Sequence, residues 1–293
     1  MSGPDISFSN LGIKIETIKQ GISIFGFQIA FYAMIITLGI FLGVAMATYL
    51  AKKDGQDIEM LFDFALIVIP LSIIGARVYY VIFEWSYYKN HVAEIFNMRK
   101  GGLAIYGAVI VAFATCIIFC KIRKVNFAII MDCGVEGLLV GQILGRWGNF
   151  FNCEAFGGYT NNPFAMRIKR TLVDPSLITK ELNEKMAEHF PEIADAYIQV
   201  HPTFLYESLW NLVLLIILLV YRKHRKFSGE VGMLYLFGYG IGRFWIEGLR
   251  TDQLTLGNTG IAVSQLLSAI LVVASLGIII YGRIKAKKAV DKA

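Results

Sequence analysis

Gln20–Ala51 reads QGISIFGFQIAFYAMIITLGIFLGVAMATYLA, a run without one charged residue. A bilayer-crossing helix needs about 20 mostly apolar residues, so this stretch holds a first span, read over Ile24–Leu50. Working outward, the pattern repeats. Further apolar runs cover Leu61–Phe83, with Arg77 inside it, Gly102–Cys120, and Phe127–Gly145, which carries Asp132 and Glu136. Three more cover Phe204–Tyr221, Gly229–Ile246 and a part of the uncharged stretch Gln253–Gly282. The expected fold is all-α and integral to the membrane, with seven transmembrane helices in one domain over residues 1–293.

Composition leads to the same class. Of 293 residues, 56% are hydrophobic and 17% charged, and the mean hydropathy is +0.58. Counting Gly and leaving out Tyr gives roughly 61% apolar, against about 45–50% apolar and 25% charged in soluble domains. Such a chain cannot cover itself in polar surface. The net charge of +6 does not signal nucleic acid, because the basic residues fall in short clusters between apolar runs. Cys116, Cys120, Cys133 and Cys153 have no metal-like spacing and read as free thiols. No basic stretch leads directly into a short apolar core with a cleavage site, so the first run is expected to stay as a span.

The clusters also set an orientation. Lys52 and Lys53 follow span one; Lys121, Arg123 and Lys124 follow span three. Arg222, Lys223, Arg225 and Lys226 follow span five, and Arg283, Lys285, Lys287, Lys288 and Lys292 follow span seven. Every second connection is basic, which puts those on the cytoplasmic side, with the N-terminus outside and the C-terminus inside. The connection 146–203 then faces outward as a structured loop, with amphipathic helical pieces expected at Leu177–Phe190 and Glu192–Gln199.

Ionisable residues inside a bilayer are expensive and point to function. In this orientation Arg77, Tyr106, Arg146, His201, Glu207, Arg243 and Glu247 fall on the outer side, and Arg250 just beyond. Only Asp132 and Glu136 lie towards the inner half. A transporter predicts polar residues at the midplane and an internal repeat; a sensor or scaffold predicts a sizeable soluble domain. None of these features is visible. The densest constellation is Gly145-Arg146-Trp147-Gly148-Asn149-Phe150-Phe151-Asn152-Cys153-Glu154-Ala155-Phe156-Gly157. Arg146, Asn149 and Asn152 share a face if the helix persists, and guanidinium plus amides suit an anionic headgroup. Helix capping and snorkelling of Arg146 are the simpler alternative.

Arg243 and Glu247, four apart, read either as an intrahelical ion pair or as half of an anion clamp. With Arg77, Arg146 and Arg250 in the same layer, a surplus of guanidiniums calls for an anion, and phosphate is the natural one. Gly238, Gly240 and Gly242 read equally as a close packing face. His201 opens span five as a cap, a hydrogen-bonding group or a ligand contact. Tyr32 and Tyr106 fit either the aromatic belt or a ligand contact. Cys153, beside Glu154, is a poor nucleophile.

These motifs resemble the bacterial prolipoprotein diacylglyceryl transferases. The resemblance rests on Gly145–Gly157, Gly101-Gly102-Leu103-Ala104-Ile105-Tyr106-Gly107, His201-Pro202-Thr203-Phe204-Leu205-Tyr206-Glu207 and Gly242-Arg243-Phe244 through Glu247, in that family's order. It implies a multi-pass enzyme of the bacterial plasma (inner) membrane whose site faces the outer leaflet. The implied reaction moves the diacylglyceryl group of phosphatidylglycerol onto the lipobox cysteine thiol of a preprolipoprotein and releases glycerol phosphate. Its implied partners are that lipid, lipobox-bearing signal peptides and the bilayer, with no cofactor and no metal. Carried over by position, Arg146, Asn149, Glu154 and Gly157 match the signature, Arg243 and Glu247 the span-six pair, and Tyr32 an essential tyrosine of span one. Tyr106 stands where many members have a histidine, and Cys153 where glycine is usual. The residues fit this chemistry: Arg146 and Arg243 as the phosphate clamp, Arg77 and Arg250 behind them, and Asn149, Asn152, Gly157, Tyr32 and His201 as substrate contacts. Tyr106, Glu154, Glu247 and the lipid phosphate itself are the candidate proton acceptors.

Overall fold

The computed structural model describes residues 3–98, 101–256 and 260–291. Arg99 and Lys100, which precede the glycine-rich motif, and Lys292 of the basic tail lie outside them. In chain order the elements are strands β1 (Ile6–Phe8), β2 (Ile13–Ile15), β3 (Gly21–Ile24) and β4 (Phe27–Ala30), then helices α1 (Phe31–Lys53) and α2 (Ile58–Phe83), and a single turn α3 (Trp85–Tyr88). Next come α4 (Ile105–Arg123), α5 (Phe127–Phe151), β5 (Met166–Lys169), α6 (Lys180–His189), β6 (Tyr197–Val200), α7 (Thr203–Tyr221), α8 (Glu230–Glu247) and α9 (Val263–Val290).

Among the described residues six helices are long and apolar enough to cross a membrane: α1, α2, α4, α5, α7 with its following turn to His224, and α9. Only 17–44% of each span's apolar window is buried inside the protein. Phe41, Leu66, Ile122 and Val273 each stand 70% or more exposed, a surface that lipid covers and water does not. The chain is a multi-pass membrane protein. α8 falls short of the six because Glu230, Arg243 and Glu247 lie within its 18 residues.

The expected all-α architecture is corrected to a mostly helical one with two small antiparallel sheets. The first is a hairpin, Gly21–Ala30, which takes the residues expected to start span one, so that α1 begins at Phe31 rather than Ile24. Its turn residues Phe25 and Gly26 both have positive φ, 50° and 80°, the geometry that matches strand twist in two-residue hairpins. The second sheet has the order β2-β1-β5-β6. It joins the N-terminus to the segment between α5 and α7, pairing Ile6 with Ile15 and Ile168, and Ile168 with Ile198. The expected helix at Leu177–Phe190 is present as α6, with Thr179 Oγ1 accepting from the Leu182 amide at 3.2 Å. The one expected at Glu192–Gln199 is not: residues 191–196 make turns, and Tyr197-Ile198-Gln199-Val200, with two β-branched residues and an aromatic, forms β6.

The chain divides into two compact units, Met1–Gly43 with Val135–Ala293, and Val44–Gly134. In the first, the sheet and α6 build a core of Ile6, Phe8, Met166, Ile168, Leu182, Met186, Ile198 and Val200. It continues into Phe150 and Phe156 at the end of α5 and Phe204 at the start of α7. Gly39 and Gly43 of α1 meet Gly141 and Gly137 of α5; a Cβ on Gly43 would lie 2.6 Å from the Gly137 carbonyl. Small residues four apart on both helices let the backbones touch. α8 lies between α7 and α9, Gly238 and Gly242 against Leu214 and Trp210, and Gly240 against Ser268 and Val272. At the ends of these helices remote from Glu207, Glu136 pairs with Arg222 at 2.6 Å, and Glu230 with Arg283 at 2.6 Å and the Tyr221 hydroxyl at 2.8 Å.

In the second unit α2 packs on α4 through Gly75 and Gly107, and Cys116, Phe119, Cys120, Ile130 and Cys133 form its core with Met60 and Leu61. Gly107→Leu forces α2 and α4 apart and should cost about 1–3 kcal/mol, as overpacking does. Gly134→Ala, where a Cβ meets nothing within 4 Å, should be neutral or stabilising by about 0.5–1 kcal/mol. Thermal melting of the two variants in detergent separates these outcomes.

Candidate active site

α5 runs unbroken to Phe151, past the point where the outward loop was expected to begin. Arg146, Asn149 and Asn152 therefore lie along one helical edge, and Arg146 Nη1 lies 3.4 Å from Asn149 Oδ1. Arg146 Nε lies 2.8 Å from Glu207 Oε2, one turn into α7. The other oxygen of Glu207 accepts from Arg243 Nη1 at 2.8 Å, and Arg250 Nη1 stands 3.8 Å from it. Glu207, only 3% exposed, is the carboxylate on which three guanidiniums converge. Arg243 Nη2 is 2.6 Å from Glu247 Oε2 along the same helix. Arg250 grips Asp252 with two parallel bonds of 2.9 and 2.7 Å.

The expected surplus of guanidiniums is corrected by this arrangement. Glu207, Glu247 and Asp252 match the three arginines, because a cation buried without a counter-charge is too costly. The arginines are thereby oriented in advance, and Arg146 Nη2 makes no bond to any described residue. Burial pulls the Arg250 guanidinium down, but the hydrogen bond and charge of Asp252, with Glu207 and Glu247, raise it overall. Burial pushes the Asp252 carboxyl up, and Arg250 more than reverses it, leaving it below the usual range.

Glu154 closes the other end of the cluster. Asn149 Nδ2 and Asn152 Nδ2 both donate to its Oε1, at 3.0 and 3.1 Å. Its Oε2 accepts no hydrogen bond from the described residues. Asn149 is thus a bridge: its oxygen faces Arg146, its amide hydrogens face Glu154. The Tyr32 ring lies against the Gly148 backbone, where a Cβ would meet its Cδ2 at 2.7 Å, and within electrostatic range of Glu154 and Arg146.

After α5 the chain is held by a short ladder. Gly157 N donates to His201 O at 3.0 Å, Gly158 N to Leu249 O at 2.9 Å, and His201 N to Gly158 O at 3.0 Å. A Cβ on Gly157 would lie 2.6 Å from the Leu249 carbonyl; glycine is required there by close approach. Burial lowers the pKa of the His201 ring, so it is neutral at pH 7. Its Nδ1 lies 3.4 Å from the Tyr206 hydroxyl, which accepts from Asn162 at 2.8 Å. Cys153 is 3% exposed, and burial, then the charges of Asp5 and Glu154, push its thiol up to about 11.

Arg77 and Tyr106 belong to the unit Val44–Gly134. All five N–H bonds of Arg77 go to backbone carbonyls: Nε to Ile95, Nη1 to Gly101 and Gly102, Nη2 to Glu94 and Asn97. The guanidinium also stacks near the Tyr88 ring at 5.2 Å. Arg77 therefore gathers Glu94, Ile95, Asn97, Gly101 and Gly102 around itself. Tyr106 lies in the first turn of α4, its ring 6.5 Å from that of Tyr79. Sequence reasoning missed Asp252, Asn162 and the hub role of Glu207; only the short spacing of Asp252 from Arg250 carried a signal. Among the described residues no group of three His, Cys, Asp or Glu side chains could hold a metal ion.

Two outcomes follow from this geometry. Glu207→Gln leaves three guanidiniums short of one charge and should destabilise the protein by on the order of 3 kcal/mol, seen as a lower melting temperature in detergent. Cys153 should resist alkylation at pH 8 in the folded protein and react at the ordinary thiol rate once unfolded, by mass spectrometry.

The model of the family described as prolipoprotein diacylglyceryl transferase matches residues 19–281. A protein of Finegoldia magna is 40% identical over 276 residues, 94% of this chain and 98% of its own. Another from Listeria innocua is 42% identical over 90% of this chain and 89% of its own. One from Clostridioides difficile is 38% identical over 88% and 92%. Each is named phosphatidylglycerol–prolipoprotein diacylglyceryl transferase. With the match running almost end to end and covering every residue of the Arg146–Glu207–Arg243 cluster, the chain belongs to the prolipoprotein diacylglyceryl transferase family.

Proposed function

We propose that this chain transfers the diacylglyceryl group of phosphatidylglycerol to the lipobox cysteine thiol of a preprolipoprotein, in the outer leaflet of the bacterial plasma membrane. The observation that carries the reading is one cluster with two halves: oriented guanidiniums at Arg146 and Arg243, and a carboxylate at Glu154 with one oxygen unbonded. In the reaction the cysteine sulfur attacks the glycerol carbon that bears the phosphate. A C–S bond forms, the C–O bond to phosphate breaks, and glycerol phosphate leaves with the electron pair. Negative charge grows on that phosphate, and preorganised donors at Arg146 and Arg243 stabilise it as it grows. Arg250 holds the layer behind them, and Tyr32, Asn152, Gly157 and His201 shape the lipid side.

The thiol proton goes to Glu154 Oε2. Glu247 is engaged with Arg243, and a phenol such as that of Tyr106 takes up a proton only after giving up its own. A carboxylate receives a thiol proton uphill, so the proton passes on to the departing phosphate, whose second pKa is about 6. Asn149 keeps Glu154 next to the cations without letting the charges collapse into an ion pair. Arg77 shapes the connection between α2 and α4.

Around this site the chain is read as seven spans with α8 as the sixth, the N-terminus outside and the C-terminus in the cytoplasm. The basic clusters after α1, α4, α7 and α9 support that orientation. The enclosure of α8 between α7 and α9 explains how a helix with three charges crosses. The segment between α5 and α7 then forms an outer cap. A different phospholipid headgroup transferase would use the same clamp without a peptide thiol.

The test is lipidation of a fluorescent lipobox peptide by purified protein with phosphatidylglycerol, following lipidated peptide and glycerol phosphate together. Arg146→Ala should slow turnover by about 10²–10³-fold, the loss typical of one charge-stabilising donor. Asn149→Asp, which sets a second carboxylate against Glu154, should be as damaging. Equimolar products in wild type with both variants inactive support the reading. Glycerol phosphate released without lipidated peptide, or full activity in Arg146→Ala, overturns it.

A further inference from the structure

Glu154 is the middle residue of a turn that the backbone does not adopt willingly. Cys153 and Ala155, on either side of it, are non-glycine residues with φ of 53° and 56°. Left-handed conformations at such residues persist only where the surroundings over-determine them. Upstream, the Cys153 and Glu154 amides donate to the carbonyls of Phe150 and Asn149, both at 3.1 Å. Downstream, Phe156 is buried in the core and Gly157 is in the ladder with His201. Between these, the Ala155 carbonyl points at α7, where the Thr203 hydroxyl donates to it. Thr203 is 1% exposed, so this donor has no water to turn to.

Thr203 and Glu207 lie four apart on α7 and share one face of that helix. One residue holds the turn that carries Glu154; the other holds Arg146 and Arg243. The two halves of the site are therefore mounted one helical turn apart on the same rigid element. We propose that Thr203 is a positioning residue for proton removal: its hydroxyl locks the left-handed Ala155 turn and so aims Glu154 Oε2 at the incoming thiol. The proposal rests on the assignment of Glu154 as proton acceptor made above. Thr203 touches neither substrate; it acts through Glu154 alone.

The experiment compares Thr203→Val, Thr203→Ser, Glu154→Gln and the Val/Gln double variant in the full-length protein. Single-turnover lipidation of a lipobox peptide is followed from pH 6 to pH 10. Valine keeps the shape and removes the donor, leaving a buried carbonyl unpaired. At pH 7 Thr203→Val should lower the maximal single-turnover rate by about tenfold or more, within the range of general-base contributions, with the half-saturating phosphatidylglycerol concentration changed less than about twofold. The deficit should shrink to within about threefold at pH 9.5, where a peptide thiol of ordinary pKa, about 8.5, ionises without help. Thr203→Ser should stay within about threefold of wild type throughout. In the Glu154→Gln background the valine change should add less than about twofold, because residues acting as one unit are not additive.

An equal deficit at pH 7 and pH 9.5, full multiplication with Glu154→Gln, a serine variant as slow as valine, or a valine variant as fast as wild type each overturns the role of Thr203. Where Glu154→Gln alone is as active as wild type at pH 7, the assignment of Glu154 itself is what fails. Melting in detergent accompanies every variant. If the valine variant melts far below wild type, Thr203→Ala takes its place in the same comparisons.

Discussion

The negative charge of Glu207, removed almost entirely from water, dictates the arrangement of everything near it. An isolated carboxylate in that position is costly; here Arg146, Arg243 and, at longer range, Arg250 surround it with countercharge. Each arrives from a different piece of chain: the end of α5, the last turns of α8, and the link towards α9. Satisfying one anion therefore fixes three segments against α7. The same bonds fix where guanidinium hydrogens remain for a ligand, since a fork gripped on one side presents the other in a set direction. Glu207 is thus the element by which stability and readiness for an anionic substrate become one requirement.

Asn149 extends this order to Glu154. Its oxygen faces a cation and its amide hydrogens face an anion, so the side chain has one sensible orientation between them. A neutral bridge of this kind separates Arg146 from Glu154 by one residue's width. Direct contact would tie the carboxylate to the arginine and weaken both for their tasks. Hydrogen bonds in series polarise one another, so in the reaction proposed above a displacement of charge beside Arg146 would be felt at Glu154.

Much of this was legible in the sequence, for definite reasons. Uninterrupted apolar runs have one use at such length, so the positions of α2, α4 and α7 emerged to within a few residues, while α5 and α9 run six and eight residues past the expected stretches. Arg146, Asn149, Glu154, Arg243 and Glu247 stood out because polar groups in apolar surroundings are conspicuous. The hairpin at Gly21–Ala30 was hidden for the converse reason: it is as apolar and uncharged as the helix that follows it, and composition does not distinguish them. β1, β2, β5 and β6 are three or four residues long and pair across the whole chain, which no local pattern records. Charge balance was incomplete from sequence because Glu207 read as a partner for one arginine rather than for three, and Asp252 was not seen as a counter-ion at all. Arg77, expected as a lipid contact, directs its five N–H donors to backbone carbonyls, partners that any residue supplies and that no sequence pattern records.

The helix α8 carries a dimension with consequences for the surrounding lipid. Glu230 at its start and Glu247 at its end are seventeen residue steps apart, and at about 1.5 Å per step the layer between them is about 25 Å tall. A typical hydrocarbon core is about 30 Å. If α8 spans upright, the lipid beside it must thin by several ångströms to meet both charged ends, or the helix bundle must sink polar groups beneath the headgroup plane. Either adjustment brings phosphate groups of nearby lipids down towards the level of Arg243. The protein then does not lift its lipid substrate out of the membrane; it lowers the membrane's polar boundary to the reacting groups, and bilayer thickness becomes a physical variable of the reaction.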